Sequence, residues 1–483
     1  MAASGLVRRS PGLARLLAAE TISPLGDAMA TTALILHVLL TTRSATAVGL
    51  LLFAQAIPPL AAPVAGAVAD RLRPGRLLAS GWLAQAALAG LLALLLPPLG
   101  PLLAVVFALG LIDTPLSAAV GRCIPVVVAD DDLVAANALR TGVREFGTVV
   151  GPPLAGLLFA VSGARLVLGL DALTFLVVIP LALRLPVPAR AGAAGGEARP
   201  SFGRDVRAGL AFVRRTPAVL AVALGFWVVV LFTAPDDLIL PFLATRTFRA
   251  GAVAVGVLLA AASAGLLAGL PLVRPVGPRL GLPLVRPVGR RLGLPLVRPV
   301  GRRLGRGAAG DDPVAPGENA AALSVGWGVN ATGRRPGADP RRRRSARRAP
   351  GPTRAIVAGF AVMACGNLLT AAAPWLAAAV AAQVIRGLAI PLADSHVSTY
   401  LQRTTPPGML GRVLANVYGG VGVAAAAGYL AGGPLVDATS PRAAFVVVGC
   451  GGLAGALACA ALLRHATRRP EQRRERLMPP QQH

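Results

Sequence analysis

Long apolar runs, broken by short polar stretches, recur along the whole chain. Their length sets the first constraint, because crossing a bilayer takes about 20 mostly apolar residues and only helices or closed barrels satisfy their own backbone there. Barrel strands alternate in polarity, whereas these runs are continuous, so helices are predicted. Twelve candidate spans lie near residues 14–41, 45–69, 76–98, 101–122, 138–161, 165–185, 217–242, 251–271, 354–373, 375–400, 411–435 and 442–464. The fold class expected is an all-α membrane protein whose twelve helices form two pseudo-symmetric bundles of six.

Composition agrees with the pattern. Of the 483 residues, 55% are hydrophobic and 14% charged, against about 25% charged in a typical soluble domain. The net charge of +27 looks out of place until the basic residues, all arginines, are located. With both termini on one side, the opposite loops hold Arg43, Arg165, Arg246, Arg249 and Arg442. The other loops carry nearly all the rest, including Arg71, Arg73, Arg76, Arg122, Arg140, Arg144, Arg403 and Arg412. By the positive-inside rule these face the cytoplasm, which predicts a multi-pass protein of the inner (plasma) membrane with both termini cytoplasmic. Residues 272 to 354 alone hold 18 arginines and four acids, and without them the charge falls to +13.

The segments between spans divide the chain. Residues 1–186 are expected to form the first bundle, and 217–271 with 354–464 the second, followed by a tail at 465–483. In the linker at 187–216, Phe202, Val206, Leu210 and Val213 recur at helical spacing while Arg204, Arg207, Arg214 and Arg215 take other faces. Two readings stand: a short amphipathic helix on the membrane surface, or the start of the next span. Residues 272–353 contain a twelve-residue unit three times, from Pro271, Pro283 and Pro295. At least two prolines per unit prevent a packed helical repeat, so a disordered cytoplasmic insert is expected, in contact with anionic lipid at most. No aromatic residues interleave with its arginines, which argues against nucleic-acid binding.

Cys123, Cys365, Cys450 and Cys459 are scattered through apolar runs and read as small buried hydrophobes. No HExxH, G-x-S-x-G, P-loop or histidine cluster occurs, so no enzyme, metal or cofactor is expected.

Two motifs carry more. After the second run, Gly66-Ala-Val-Ala-Asp70-Arg71-Leu-Arg-Pro-Gly-Arg76 places small residues, an acid and arginines at the membrane edge, where ion pairs can form in one conformation and break in another. It resembles the loop motif G-x-x-x-D-R-x-G-R-[KR] of the major facilitator superfamily in part: Gly66, Asp70 and Arg71 match, whereas Arg73 and Pro74 depart and Arg76 comes late. The resemblance implies a conformational gate, most securely at Asp70 and Arg71. In the fifth run, Gly147-Thr-Val-Val-Gly151-Pro152-Pro153-Leu-Ala-Gly156 offers a G-x-x-x-G packing face and a proline bend. It is similar to that superfamily's antiporter motif, G-x-x-x-G-P-x-x-G-G, with Ala155 in place of a glycine. The two halves echo each other as well, Gly151-Pro152 in the fifth run against Gly433-Pro434 in the eleventh. Strings such as Asp171-Ala-Leu-Thr-Phe175 and Gly411-Arg-Val413 look most like the actinobacterial exporter branch that includes enterobactin-type siderophore and macrolide exporters. The resemblance implies export of a small amphipathic compound, a drug, antibiotic or siderophore, by alternating access in a monomer. The alternatives are uptake or uniport without proton coupling, or a non-transporting scaffold.

Charges inside spans are costly and should face a cavity or a partner. Glu20, Ser23, Asp27 and Thr31 share one helical face, and low dielectric favours a proton on Asp27, which makes it the best proton-carrier candidate with Glu20 nearer the inner mouth. The competing reading is a static acid paired to a neighbouring helix, for example to Arg386. Asp113, Arg386 and Asp394 form a second candidate proton-coupling group. His37 and His396 rank low as relays.

Overall fold

A computed structural model of the chain describes residues 2–62, 65, 72–129, 132–185, 202–273 and 352–475. Gly66, Asp70 and Arg71, the repeats that follow Val273, and the end of the tail lie outside the described residues. The elements are all helical. They run as α1 (Ala2–Arg9), α2 (Pro11–Thr42), α3 (Ala45–Ala56), a 3-10 turn (Pro58–Ala61), α4 (Pro74–Leu95), α5 (Leu99–Val127) and α6 (Leu133–Leu183). After the linker come α7 (Phe202–Arg215), α8 (Pro217–Thr233), α9 (Asp236–Phe242) and α10 (Ala252–Val273), then α11 (Pro352–Ala372), α12 (Leu376–Thr404), α13 (Pro407–Ala438) and α14 (Pro441–Glu475).

Ten helices among the described residues are long and apolar enough to cross a membrane. The difference from twelve runs has local causes. The runs at 138–161 and 165–185 join as α6, whose 51 residues contain one non-helical position, Gly163 at φ 70° and ψ −168°. Only glycine adopts that conformation without strain. The second run is helical over Ala45–Ala61, shorter than a span, before the described residues stop.

The run at 217–242 is not one helix either. Proline at 235 cannot donate to the helix ladder, and α8 ends at Thr233 before α9 begins at Asp236. Upstream, α7 ends before Pro217, so the amphipathic stretch is a helix of its own and not the start of α8. Its Gly209 lies against Arg412 and Asn416 of α13.

Side-chain packing follows a pattern along the helices. One buried cluster draws on both halves of the chain, with Leu34 of α2, Leu51 of α3, Leu102 of α5, Phe242 of α9, Val255 of α10 and Phe445 of α14. Toward the other ends of these helices the core separates. Leu13, Trp82, Leu116 and Phe175 pack within the first half, and Val219, Phe360, Val397 and Val417 within the second. The halves therefore meet at one end, while the end that carries Arg140, Arg144 and Arg403 has a separate core in each half. Of the cysteines, Cys123 and Cys459 are buried, but Cys365 and Cys450 are exposed on helix surfaces, contrary to the expectation for all four. A thiol is small and weakly polar enough to face lipid as readily as a core.

Candidate functional site

On α2, Glu20 is buried at 7% exposure and does not stand as an isolated acid. Arg140 and Arg144, one turn apart on α6, both donate to its Oε2, at 3.1 and 3.3 Å. Spacing of three and four residues also brings Asn137, Arg140, Thr141 and Arg144 to one face of α6. With Ser117 of α5 and Glu145, they line a cavity of about 440 Å³ at the arginine-bearing end.

Higher on the α2 stripe, Thr31 Oγ1 accepts from Gln55 Nε2 of α3 at 3.3 Å. Asp27 lies between these two fixed points. Among the described residues no hydrogen bond or ion pair ends on its carboxyl group, and the charges acting on it are those of Asp171, Asp113, Arg144 and Glu20. The pairing of Asp27 with Arg386 does not form. Asp113 of α5 accepts from Ser117 at 3.2 Å.

Arg386 finds a partner that the sequence reading passed over. Its Nε lies 2.7 Å from Asp236 Oδ2, with side-chain exposures of 10% and 1%. Asn367 of α11 donates to Asp236 Oδ1 at 3.0 Å, and Arg386 donates to the Thr233 carbonyl at 3.3 Å. The break at Pro235 frees that carbonyl and turns Asp236 inward, so the discontinuity in the helix makes the ion pair possible. Asp394 is not in this group, because its Oδ1 accepts from Tyr418 of α13 at 2.8 Å. The expected Asp113–Arg386–Asp394 group is thus three separate sites. His396 Nδ1 lies 2.6 Å from its own helix's Leu392 carbonyl.

The glycine-proline segment of α6 touches two helices that belong to different halves. Methyl groups added at Gly147 and Gly151 would come within 3.1 Å of Leu25 N and 2.6 Å of Ala28 Cβ, on the α2 turns that flank Asp27. One at Gly156 would come within 2.5 Å of the Ala252 carbonyl of α10. Gly256 of α10 in turn lies against the Pro152 carbonyl and the Pro153 Cα. Backbone-to-backbone approach of this kind needs residues without side chains. Arg76 is exposed on the first turn of α4, apart from both groups.

At the end where the halves meet, Asp437 in the last turn of α13 reaches the start of α3. It accepts from the Ala45 and Thr46 backbone N–H groups at 2.8 Å each, and from the Ser44 and Thr46 hydroxyls at 2.9 and 2.8 Å. A carboxylate on an unsatisfied helix N-terminus is a favourable placement. Arg246 joins the same cluster, 3.8 Å from Asp437 and donating to the Arg43 carbonyl at 2.5 Å. No motif marked these residues. The signal available in the sequence was an acid at a span end opposite a Ser-Ala-Thr helix start. Among the described residues, no group of three or more His, Cys, Asp or Glu is placed to hold a metal ion.

Known proteins provide the comparison. An uncharacterised MFS-type transporter, y4rN, of Sinorhizobium fredii (strain NBRC 101917 / NGR234) is 34% identical over 170 residues, which is 34% of this chain and 41% of that protein. The match therefore spans less than half of the relative's length. Among solved structures, the nucleoside transporter NupG superposes with a TM-score of 0.60 at 12% identity, covering 93% of this chain and 98% of that one. A POT family transporter in complex with 5-aminolevulinic acid gives 0.64 at 10% identity, covering 95% and 97%. At such identities these likenesses establish the fold alone. The sequence profile of the Major Facilitator Superfamily matches residues 16–294 and 346–480, most of the chain, and the chain belongs to that superfamily as a multi-pass membrane protein.

Proposed function

We propose that the protein exports a small amphipathic compound in exchange for protons, by alternating access between two six-helix bundles. Twelve spans are reached by counting α6 as two, divided at Gly163, and the run that begins at Ala45 as one. Fifty-one helical residues measure about 76 Å at 1.5 Å each, far more than the ~30 Å hydrocarbon layer, which favours that division. The arginine-bearing end is assigned to the cytoplasm by the positive-inside rule. In this conformation the Asp437 cluster and the shared core then close the outer side, and the cavity at Arg140 and Arg144 lies toward the cytoplasm.

One observation carries the reading: residues 147–156 of α6 pack against α2 beside Asp27 and against α10 of the other half. A change in how α2 sits, caused by a proton arriving at or leaving Asp27, is thereby placed next to the surface on which the halves move. The antiporter-like motif is in this account a mechanical link, with Gly147 and Gly151 gripping α2 and Pro152, Pro153 and Gly156 gripping α10. Asp27 is the proton carrier. Glu20 with its two arginines, and Asp236 with Arg386, hold their helices in register. Gly66, Asp70, Arg71 and Arg76 form the cytoplasmic gate.

The test is proton counting in proteoliposomes of the purified full chain, screened with a panel of drugs, antibiotics and siderophores. A transported compound should move protons inward across the vesicle wall as it leaves, read by a trapped pH dye. Compound movement with no proton movement favours the uniport or uptake reading.

A further inference from the structure

Asp171 on the second limb of α6 is buried at 3% exposure, and its Oδ1 has no hydrogen-bond partner. An isolated ionised carboxylate in such a place is expensive, and native proteins avoid it by pairing or by neutralisation. Among the described residues, no arginine forms an ion pair with it. A methyl group added at Gly26 would come within 2.6 Å of Asp171 Oδ1 and 2.5 Å of Thr174 Oγ1. The Asp171 carboxyl therefore fills the notch left by the glycine that precedes Asp27, and Thr174 Oγ1, which closes the notch, donates to the Asp171 carbonyl and not to its carboxyl group.

Among the described residues, charges on three helices act here. Asp113 on α5, Glu20 on α2 and Arg144 on α6 act on Asp27 along with Asp171. Arg144 is already donating to Glu20, whose Oε2 also takes Arg140. Asp113 has Ser117 as its donor. Asp171, whose carboxyl fills the Gly26 notch, and Asp27, the next residue along α2, are left as two neighbouring acids with no ion pair of their own among the described residues.

From this juxtaposition we propose that Asp27 and Asp171 share one coupling proton, so that the proton site of the transporter is a carboxyl pair bridging α2 and α6. The proposal rests on the proton-coupled reading above. Two carboxyl groups at close range cannot both ionise cheaply, so the pair keeps one proton and takes up or releases it as a unit. Gly26 is the position that lets the second acid approach. Deprotonation of the pair sets two like charges against each other across the α2–α6 contact, which pushes apart the helices that the Gly147–Gly151 face holds together.

Two measurements on the reconstituted full chain test this. First, the pH dependence of gradient-driven export is compared for wild type, Asp171→Asn and Asp171→Glu. The pair predicts that Asp171→Asn moves the half-maximal pH down by about one unit or more while Asp171→Glu keeps a second acid and moves it much less. An unmoved midpoint in Asp171→Asn overturns the proposal. Second, infrared spectra of the protonated-carboxyl band are compared for wild type and Asp27→Asn, which does not depend on Asp171→Asn folding. The pair predicts that the shared band is displaced, because its proton stays on Asp171, whereas loss of a band with nothing displaced overturns it. If wild-type export ignores the pH gradient, the proton-coupled reading itself has failed. If wild type and Asp27→Asn behave as that reading requires while Asp171→Asn matches wild type, the shared proton alone is rejected.

Discussion

The Asp437 carboxylate accepts both the backbone N–H and the side-chain hydroxyl of Thr46, each at 2.8 Å, and so ties the last turn of α13 to the first turn of α3. A charge-assisted hydrogen bond contributes about 1.5–3 kcal/mol, and a coupling of that size changes a two-state population roughly ten- to hundredfold. Replacing Asp437 with alanine should shift the protein toward opening at this end by about that factor. Labelling of a cysteine placed at Thr439, in a background with the native cysteines removed, reads the shift. Equal labelling rates with and without Asp437 would show that the contact does not hold this end closed.

Bulk at the α6–α10 crossing should block the cycle. Gly156 and Gly256 face backbone atoms, which cannot rotate away as side chains can. Gly256→Val should reach the membrane in normal amount yet lose at least tenfold in transport rate, while alanine at the open position Gly251 should have no effect. Transport by Gly256→Val at the wild-type rate would contradict close packing of the halves at this point.

Arg386 and Asp236 form a buried pair, and removing one member leaves the other charge uncompensated at a cost of about 3–5 kcal/mol. Arg386→Met or Asp236→Leu alone should lower the melting temperature of the purified protein clearly. The double variant should recover most of the loss, since an apolar pair avoids the stranded charge. Additive losses would mean that the two do not act as a pair.

The sequence-based account of residues 272–353 predicts that deleting 283–350 leaves export near normal. Membrane amount by immunoblot and efflux in the same cells decide it. Intact insertion with abolished export would assign the segment a role.

How much could be read from the sequence depends on the range of the interaction. Apolar run length and the arginines reported spans because both are local consequences of a lipid solvent, and the Gly147–Gly156 segment was visible because close helix packing demands small residues at fixed spacing. The partners of the charges were not visible. Depth in the spans groups Arg386 with Asp113 and Asp394, or with Asp27, but the break at Pro235 brings Asp236 to it instead. Asp236 and Asp237 follow that proline within an apolar run, and reading Pro235 as a helix break would have marked them. Asp171 lies in a family-like string, and only the approach of Gly26 shows that its carboxyl group reaches the α2 turn that carries Asp27. The Asp437 cluster joins residues almost 400 positions apart, which no local pattern records.

If Asp27 carries the exchanged proton, Asp27→Asn in proteoliposomes with an imposed pH gradient loses the coupling. The gradient should no longer drive net export, while exchange of labelled for unlabelled compound across the same vesicles should continue. Gradient-driven export by Asp27→Asn at the wild-type rate would contradict it.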